Sequence, residues 1–412
     1  MYKPFFLDDT EYTSNNPLII AELGTSHNGD LIKAKEMIKA AGEAGAACIK
    51  LQMVFADEIL HENTGEVSLP GGRIRLYDRF KQLEMPNEFY WELKEYIESL
   101  NLLFLCTPFG LKSAKILKEM RPKAVKIASP ELNYTALLRE ISSWGLPILL
   151  STGVSTLGDI EEALSVLGNR EWGMGNGVRG LNRLPQNIYN SESNDGNTHN
   201  SHTTTPIPYS LFPIPQVCLL HCVTAYPAPE TDYNLRLLPN LSAIFGVATG
   251  LSDHSLDPRL VPVLAITQGA AVIEKHFCLS REDTGLDDPI ALPPAEFALM
   301  VKAVKQAVKL GQKDTLELMI KEYGQEKIEA VLGSGIKKIS PSENDNYART
   351  KRSIHALHDI KAGEIIKAED FAILRTEKIL RPGLPPSWAE KICGRTARNF
   401  ISAGEGIRFE DV

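Results

Sequence analysis

The sequence predicts an α/β protein made of a (β/α)8 barrel, or TIM barrel, followed by a small, mostly β module. From Leu18 onward, short apolar runs alternate with amphipathic stretches, which is typical of repeated strand-helix units. Eight such runs occur up to Lys275, the number of parallel strands that closes a barrel. From Lys351 to Val412 the pattern changes to short strands separated by glycine-containing turns.

The eight predicted strands are short and apolar. In chain order they read LIIAE, CIKLQ, LLFLCT, AVKIAS, ILLST, VCLLHC, IFGVATGLS and AVIEK. Helical periodicity marks AKEMIKAAGEAG, FYWELKEYIESL, KSAKILKEM, ALLREISSW, DIEEALSVL, RLVPVLAITQG and AEFALMVKAVKQAVKL. An open, doubly wound sheet is the structural alternative, but it would distribute the strand ends along an edge instead of around one mouth.

The same patterns divide the chain into domains. We predict an N-terminal extension at 1–17, the barrel at 18–311, a helical linker at 312–350 and the small module at 351–412. The barrel is interrupted at 168–215 by a segment rich in Asn, Ser, Thr, Gly and Pro. Such a composition cannot bury enough apolar surface to order itself, so we predict a mobile surface insertion without a catalytic role.

Charge and cysteine content limit the function classes. A net charge of -8 gives no general attraction to nucleic acid or anionic lipid, so anion binding must come from local groups. The six cysteines form no CxxC pair and predict reduced thiols in a cytoplasmic protein. No apolar stretch approaches roughly 18 residues, so we expect neither a membrane span nor a signal peptide.

Nearly all of the predicted strands end in residues that handle anions, metals or protons. Parallel strands of a closed barrel present their carboxyl ends at one face, where such enzymes keep their chemistry. We therefore expect one pocket to collect three lysines, several hydroxyls, two histidines and two or more carboxylates. The residues at these ends are Glu22, Lys50, Gln52, Thr107, Lys126, Ser129, Glu131, Ser151, Thr152, Gly153, His221, Ser252, Asp253, His254, Lys275 and His276.

Lys50 and Lys126 lie inside apolar runs, where an unpaired ammonium group carries a large desolvation penalty. Each needs an anion, which is either a buried protein carboxylate or a phosphate or carboxylate of a substrate. Thr107, Ser129 and Ser151 at neighbouring strand ends supply the hydroxyl donors that a phosphate requires. A single Schiff-base lysine is a third possibility. Two lysines surrounded by hydroxyls favour a bound anion.

His254 and His276 end the last two predicted strands, which are neighbours in a barrel. Two imidazoles there can share one divalent ion and leave positions open for water or substrate, as catalytic sites do. Two hydrogen-bonded core histidines are the alternative, and the pairing on adjacent strands favours the metal. Glu22 at the first strand end either holds a metal-bound water or takes a proton, or merely forms a salt bridge. The small residues after it favour the functional interpretation.

Several segments, in order, resemble the sialic acid synthases, which are phosphoenolpyruvate-dependent synthases of nine-carbon acidic sugars. The segments are IIAELGTSHNGD, IKLQ, CTPFG, VKIASPELNY, PILLSTG, LLHCVTAYPAP, GLSDH, EKHF and TGLDD. The C-terminal module resembles the antifreeze-like (SAF) domain of the same family. The resemblance implies condensation of phosphoenolpyruvate with an N-acylated mannosamine-type hexose and water, with release of phosphate.

The resemblance also implies roles for individual residues. Phosphoenolpyruvate would contact Lys50, Thr107, Lys126, Ser129, Ser151, Thr224 and Ser252. His254 and His276 would bind Mn²⁺ or Mg²⁺. The sugar would meet Gln52, Glu131, Tyr226 and Asp287, with Glu22 beside the metal-bound water; Glu22, Glu131 and Asp287 are the catalytic candidates. The TGLDD string leaves Asp288 open in place of Asp287.

A domain-swapped homodimer is a further implication, because in the family an arginine of the small domain lies over the partner's sugar site. Counting from DIKAGE selects Arg375 for this role, whereas the RPG string selects Arg381, so both stay candidates. Family members acting on N-acetylmannosamine often carry Asn where Gly72 or Arg73 stands here, and Thr224 also replaces a common Asn. These departures leave the acceptor open among N-acetylmannosamine, a 2,4-diacetamido-6-deoxy sugar and an altrose-type sugar.

Two functions of other classes remain as alternatives. A Schiff-base aldolase or lyase of acyl sugar acids would use one lysine and no metal. A non-catalytic carbohydrate-binding protein would bind sugar through the small module and release no phosphate. Strand ends crowded with titratable groups favour an enzyme over this last alternative.

Overall fold

Eight parallel strands form the central sheet of the structure, a computed structural model that describes residues 3–69, 72–168, 216–377 and 379–412. Nearly all of the insertion predicted at 168–215 lies outside the described residues. The barrel strands are β3 (Leu18–Gly24), β4 (Cys48–Met53), β7 (Leu103–Pro108), β8 (Val125–Ile127), β9 (Ile148–Ser151), β10 (Val217–His221), β11 (Ala248–Asp253) and β12 (Val272–His276). The predicted α/β barrel is confirmed.

The strands are hydrogen bonded in the order β7-β4-β3-β12-β11-β10-β9-β8, and β7 packs against β8 to close the ring. All of these pairs are parallel. The register places His276 opposite Glu22, and Glu22 opposite Lys50. Side chains from neighbouring strand ends therefore reach the same level of the barrel mouth, as closed parallel barrels require.

An antiparallel hairpin precedes the barrel, formed by β1 (Phe5–Leu7) and β2 (Thr10–Tyr12). Its buried side chains Phe5, Leu7 and Tyr12 pack in one cluster with the apolar interior of the barrel strands. Because apolar burial stabilises this contact, the hairpin closes the amino-terminal end of the barrel. The carboxyl-terminal ends of the strands form the other end of the described barrel, where a cavity can open. A second hairpin, β5 (Glu66–Leu69) and β6 (Gly72–Arg75), follows β4.

Most of the helices pack their apolar faces onto the barrel, whereas the two short helices at 56–59 and 76–82 pack into a separate apolar cluster. The helices are α1 (Leu31–Glu43), α2 (Ala56–Ile59), α3 (Leu76–Gln82), α4 (Asn87–Ser99), α5 (Leu111–Glu119), α6 (Thr135–Ser142), α7 (Leu157–Gly168), α8 (Leu237–Phe245), α9 (Leu260–Thr267) and α10 (Pro294–Tyr323). One strand prediction was wrong at its start: Ile244 and Phe245 belong to α8. Gly246, with a left-handed φ of 68°, ends this helix, and the strand begins at Ala248.

The linker continues the last barrel helix. Gly311 has φ 78° and kinks α10, and α11 (Gln325–Leu332) and α12 (Tyr347–Thr350) follow. The C-terminal module pairs β13 (Arg352–Ala356) with β14 (Phe371–Arg375) and contains the short helix α13 (Ala389–Ile392). Its own small apolar core includes Ile354, Ile366, Ile401 and Ile407. The module lies against the mouth of the barrel of the same chain.

The prediction that no segment spans a membrane can be compared with the length and apolar character of the helices. Among the described residues, no helix combines the length and the apolar character that a bilayer crossing requires.

Candidate active site

A cluster of charged groups lies at the centre of the barrel mouth. The ammonium group of Lys50 lies 2.7 Å from Glu22 Oε2 and 2.9 Å from Glu274 Oε1. Lys126 Nζ lies 3.5 Å from the same Glu274 oxygen and donates to Ser151 Oγ at 2.7 Å. All five side chains are almost completely buried. The opposite charges therefore compensate one another where water cannot.

Burial and charge act on the pKa values of this cluster in opposite directions. Burial raises the pKa of Glu274, but Lys126 and Lys50 outweigh it and hold the pKa below its usual range. Burial lowers the pKa of Lys50 to about 8, although the charge of Glu274 opposes this shift. Glu274 is therefore ionised at neutral pH, and Lys50 is a cation that loses its proton more readily than an exposed lysine does.

Hydroxyl groups surround the two lysines. Ser252 Oγ donates to the central glutamate at 2.8 Å, and Ser129 Oγ accepts a backbone N–H at 3.0 Å. Thr107 Oγ1 and Thr224 Oγ1 are buried and have no hydrogen-bond partner within the described residues. Because buried polar groups are normally paired, such hydroxyls indicate a place that a ligand or water fills.

These groups line a cavity of about 290 Å³, a size that suits a small metabolite. Thirteen predicted site residues line it: Lys50, Gln52, Thr107, Lys126, Ser129, Ser151, Thr224, Tyr226, Ser252, His254, His276, Asp287 and Arg375. Residues that the sequence did not single out complete the wall: Thr25, Phe80, Phe109, Ala128, Pro130, Cys222, Glu274, Leu286, Asn346, Thr350 and Glu377.

His254 and His276 face each other across one side of the cavity, with ring centroids 5.4 Å apart. The Nδ1 atom of His254 is 2.7 Å from the carbonyl oxygen of Val223, which orients the ring and leaves Nε2 for another partner. Burial lowers the pKa of His254 to about 4 and that of His276 well below its usual value. Both rings are thus neutral near pH 7, the form that binds metal ions.

The two imidazoles fit a metal ion that keeps open coordination positions. Among the described residues, no group of three or more His, Cys, Asp or Glu side chains is arranged to hold a metal. Protein nitrogens would therefore supply only part of a coordination shell, and water or substrate oxygens would supply the rest.

Tyr226 and Asp287 lie beside the histidines. The Tyr226 ring stacks on His254 with centroids 4.4 Å apart, and it is 52% exposed toward the opening. Asp287 Oδ2 lies 3.8 Å from His276 Nδ1. Burial, together with the neighbouring carboxylate of Asp288, raises the pKa of Asp287 to about 6. This carboxyl group therefore titrates close to neutral pH, as groups at active sites often do.

Glu22 lies behind the cavity wall and does not line it. Its Oε1 atom accepts from Gln52 Nε2 at 2.8 Å, while its Oε2 atom pairs with Lys50. The carboxylate therefore orients two residues that do face the cavity.

Glu131 likewise lies behind the wall and connects the barrel to the module. Its Oε1 atom accepts from Arg352 Nη2 at 2.8 Å and from Arg375 Nη2 at 2.8 Å. Arg352 is fully buried and also donates to the backbone oxygens of Phe109 and Ile373. Arg375 lines the cavity, whereas Arg381 pairs with Asp411 and Glu405 of the module and lies outside it.

Several residues expected in the pocket do not line the cavity: besides Glu22 and Glu131, these are Thr152, Gly153, His221, Asp253 and Lys275. Lys275 Nζ binds Asp253 Oδ2 at 2.7 Å and the backbone oxygen of Ser255, so it does not reach the cavity. Side chains alternate along a strand, so Glu274 and His276 face the barrel interior while the residue between them faces the helices. The pocket therefore contains two lysines.

Glu274 is the central residue that the sequence analysis missed. A signal was available, since Glu274 lies two positions before His276 on the same predicted strand and must share its face. Arg352 was also missed, and only its place near the start of the predicted module pointed to it. Asn346 had no such signal, because nothing in the sequence places the linker at the cavity.

Comparisons with known proteins show the family of the chain. The family model described as NeuB family matches residues 37–315, and that of the SAF domain matches residues 351–412. The N,N'-diacetyllegionaminic acid synthase of Campylobacter jejuni is 30% identical over 397 residues, which cover 95% of this chain and 98% of that protein.

Two further comparisons concern a second synthase and a solved structure. A pseudaminic acid synthase of Campylobacter jejuni is 30% identical over 97% of each chain. The crystal structure of the spore coat polysaccharide biosynthesis protein SpsE of Bacillus subtilis matches with a TM-score of 0.75 and 29% identity, and the match covers 99% of each chain.

Proposed function

The chain belongs to the NeuB family and is an enzyme of that family's transferase type, and from this premise we propose that it condenses phosphoenolpyruvate with an N-acyl hexosamine. The products would be a nine-carbon 2-keto sugar acid and phosphate. The observation that supports this proposal is the arrangement of Lys50 and Lys126 around Glu274, with hydroxyl groups on the cavity side. The two neutral imidazoles of His254 and His276 lie opposite. This arrangement offers an anion site and an electrophile site within one cavity of about 290 Å³.

The lysine side of the cavity would hold phosphoenolpyruvate. Lys50 and Lys126 supply cationic donors, and the unpaired hydroxyls of Thr107 and Thr224 supply further hydrogen bonds. Charge-assisted hydrogen bonds of this kind are the stronger ones in proteins. Ser129, Ser151 and Ser252 complete the predicted set. Fixing both anionic groups of the substrate would point its nucleophilic carbon toward the histidine side.

The histidine side would hold the aldehyde of the open-chain sugar. His254 and His276 would hold Mn²⁺ or Mg²⁺ through their free ring nitrogens. A divalent ion bound there supplies Lewis acidity toward a carbonyl oxygen. Tyr226, stacked on His254 and half exposed, would cover the sugar from the opening. Asp287 in its ionised form would accept hydrogen bonds from sugar hydroxyls, and Gln52 and Arg375 would contact the sugar's other polar groups.

The proposed reaction balances without a further reagent. The enol carbon of phosphoenolpyruvate forms a bond to the aldehyde carbon, whose oxygen becomes a hydroxyl. Water then adds to the phosphate-bearing carbon, and the carbon–oxygen bond to phosphate breaks to leave the keto group. Lys50 and Lys126 would bind the departing phosphate in the same place that held it as an ester.

The structure changes the role that we propose for Glu22. The sequence suggested that it activates water, but its two oxygens are engaged by Lys50 and Gln52 behind the cavity wall. We therefore propose that Glu22 positions these two residues. Glu131 is similarly engaged by Arg352 and Arg375, so we propose that it orients the module's arginine over the sugar site.

A homodimer with exchanged modules stays part of the proposal. In the single chain, Arg375 reaches the mouth of its own barrel. A module supplied by a second copy would bring the same arginines to the same glutamate, so the exchange would leave the site chemistry unchanged.

The test is a phosphate-release assay with phosphoenolpyruvate, Mn²⁺ or Mg²⁺, and each of the three predicted acceptor sugars. We expect phosphate release that depends on one acceptor and on the divalent ion. His254→Ala should lose the response to metal and most of the turnover. Full activity of His254→Ala in the presence of a chelator would refute the metal's role, and failure of every acceptor would refute the proposed reaction.

One alternative has an observation in its favour. The lowered pKa of Lys50, about 8, is what a Schiff-base lysine needs. However, two carboxylates lie within 2.9 Å of its ammonium group and stabilise the charged form. Borohydride reduction in the presence of pyruvate distinguishes the two mechanisms, because covalent labelling of Lys50 occurs only in the lyase.

A further inference from the structure

The linker between barrel and module reaches the barrel mouth and buries a carboxylate there. Glu343 follows α11 and is 2% exposed. Its Oε1 atom accepts the backbone N–H groups of Val154 at 2.7 Å and Thr224 at 2.9 Å. Its Oε2 atom accepts from the backbone and hydroxyl of Ser340, at 3.2 and 3.0 Å. The carboxylate is thus hydrogen bonded at both oxygens; the two bonds at Oε1 join the linker to two different barrel loops, and the two at Oε2 stay within the linker.

The two loops are those that follow β9 and β10, and each carries a residue of the cavity. Ser151 ends β9, and Thr224 follows β10 by three residues; both line the cavity. A third residue, Gly153, lies where the loops touch, since a Cβ atom there would come within 2.2 Å of Thr224 Oγ1. The loops are therefore in direct contact, and any change in their spacing moves the hydroxyls on both.

The loop after β9 needs external support. Val154 has φ 44°, a left-handed conformation that costs energy for a β-branched residue. Such a conformation persists only when surrounding groups hold it, and here Glu343 accepts a hydrogen bond from the N–H of Val154. Lys337 adds a second bond from the linker, since its ammonium group donates to the carbonyl oxygen of Thr152 at 3.0 Å. Asn346 supplies a third hydrogen bond from the linker: its side-chain amide donates to the carbonyl oxygen of Thr224, in the loop after β10, at 3.0 Å.

The charge of Glu343 agrees with this arrangement. Burial raises its pKa, but the N–H groups of Thr224 and Val154 and the nearby Lys337 outweigh burial and lower the pKa below its usual range. The residue is therefore an anion at neutral pH and accepts from several donors at once.

We infer that Glu343 is a positioning residue for the phosphoenolpyruvate half of the site, holding Ser151 and Thr224 in the geometry that binds the substrate's anionic groups. This inference rests on the proposed function. It makes the linker a part of the active site and not only a connection between two domains. Glu343 does not itself line the cavity, so its effect is transmitted through the two loops.

The test measures phosphoenolpyruvate binding by titration calorimetry in the full-length chain. Glu343→Gln keeps the shape of the side chain but replaces one acceptor oxygen by an NH₂ group that faces other donors. We expect its Kd for phosphoenolpyruvate to rise by about tenfold, the effect of losing roughly one charge-assisted hydrogen bond. The KM for the acceptor sugar should change less than twofold. Lys337→Met, which loses the bond to Thr152 and the positive charge near Glu343 but keeps the Glu343 hydrogen bonds, should raise the Kd by a smaller factor, roughly threefold.

The matched control is Glu329→Gln, a carboxylate of the same linker that pairs with Arg236 on the surface. Its Kd should equal that of the wild type. A merely structural role of Glu343 would lower the melting temperature and the number of binding sites per chain but leave the Kd unchanged, and that result would overturn the inference. If Glu343→Gln does not fold, an unchanged Kd in Lys337→Met overturns it. Absence of binding by the wild type would instead refute the proposed function.

Discussion

At the scale of residues, the site depends on one glutamate that the two lysines share. Glu274 is held as an anion by Lys50 and Lys126, and Ser252 donates to the same oxygen. A buried ion cluster is stabilising only while every charge has its partner. Phosphoenolpyruvate would enter this cluster as an additional anion, and the lysines' remaining N–H groups would bind it. Removing one of these charges leaves its partner uncompensated, so substitutions here should weaken substrate binding and also lower the stability of the fold.

The first prediction concerns Lys126. Lys126→Met keeps most of the side-chain volume and removes the charge that faces Ser151 and Glu274. Hydrogen bonds to charged groups contribute about 1.5–3 kcal/mol, so the Kd for phosphoenolpyruvate should rise roughly 10- to 100-fold. Isothermal titration measures this change. Lys123→Met is the control, because that lysine pairs with Asp8 on the surface. Equal affinity of both variants for phosphoenolpyruvate would contradict the assignment of Lys126 to its binding site.

The second prediction concerns the pH dependence that Asp287 causes. Its pKa is raised to about 6, so its ionised form, which we assign to sugar binding, is lost as pH falls through 6. The kcat/KM for the sugar should therefore decrease below pH 6 in the wild type. Asp287→Asn should have low activity at every pH and lack this decrease. A wild-type profile that is flat between pH 5 and pH 7 would contradict the assignment.

The raised pKa of Asp287 also makes the stability of the fold depend on pH. Stability should fall as pH rises, whereas activity should rise. A carboxyl group with a raised pKa stabilises the fold fully below its unfolded value of about 3.9, and this contribution is lost as pH rises through 6. In the presence of a chelator, Asp287→Asn should therefore gain melting temperature relative to the wild type as pH rises from 4 to 7. A constant difference across this range would show that the carboxyl group is not shifted.

At the scale of elements, one arginine at the start of β13 makes several of the contacts that hold the module against the barrel. Arg352 donates to Glu131 of the barrel and to the backbone oxygens of Phe109 and Ile373. Its guanidinium group is fully buried and connects the loop after β7, the loop after β8 and strand β14. The planar group presents several donors in fixed directions, which a lysine cannot reproduce. The docking of the module and the placement of Arg375 over the cavity are thus coupled.

The third prediction tests this coupling. Arg352→Lys should lower the free energy of unfolding by about 2–4 kcal/mol, because buried acceptors lose their donors. Urea denaturation followed by tryptophan fluorescence measures the loss. Arg395→Lys is the matched control, since the Arg395 side chain donates to the backbone of Lys391 at an exposed position of the module. If both variants unfold at the same urea concentration, Arg352 does not fix the module.

At the scale of the whole molecule, the active site is assembled from three parts of the chain. The barrel supplies the lysines, hydroxyls and histidines, the linker supplies Asn346 and Thr350, and the module supplies Arg375. The hairpin at residues 5–12 closes the opposite end of the barrel. A cavity formed in this way is complete only when linker and module are both in place. The barrel alone should therefore bind substrates weakly.

The fourth prediction distinguishes an active site built from one chain from a site whose barrel and module come from two chains. Lys126→Met disables a barrel, and Arg375→Ala disables a module. If modules are exchanged in a homodimer, coexpression of the two variants should restore activity that neither has alone, because mixed dimers contain one site with both native parts. Phosphate release by the copurified mixture measures this. Without exchange, every native barrel keeps a defective module, so a mixture no more active than its components would refute the exchange.

The sequence by itself determined the barrel, the module and most of the cavity wall. Periodicity identified the strands, and the carboxyl ends of parallel strands meet at one face whatever the details of packing. Lys50, Lys126, His254 and His276 were therefore predicted to share a cavity, and they do line one. The alternation of side chains along β12 was also present in the sequence, although we did not use it to choose Glu274 over Lys275.

Only the tertiary structure decided which groups face the cavity and which stand behind it. Glu22 and Glu131 lie at predicted strand ends, yet both point to partners in the wall. Arg375 and Arg381 were equivalent candidates until the docking of the module placed one at the cavity. Glu343 belongs to a local S-x-x-E capping box with Ser340, but this pattern does not indicate that its carboxylate also binds two barrel loops. Contacts between segments more than a hundred residues apart depend on how elements pack, and sequence periodicity describes only each element by itself.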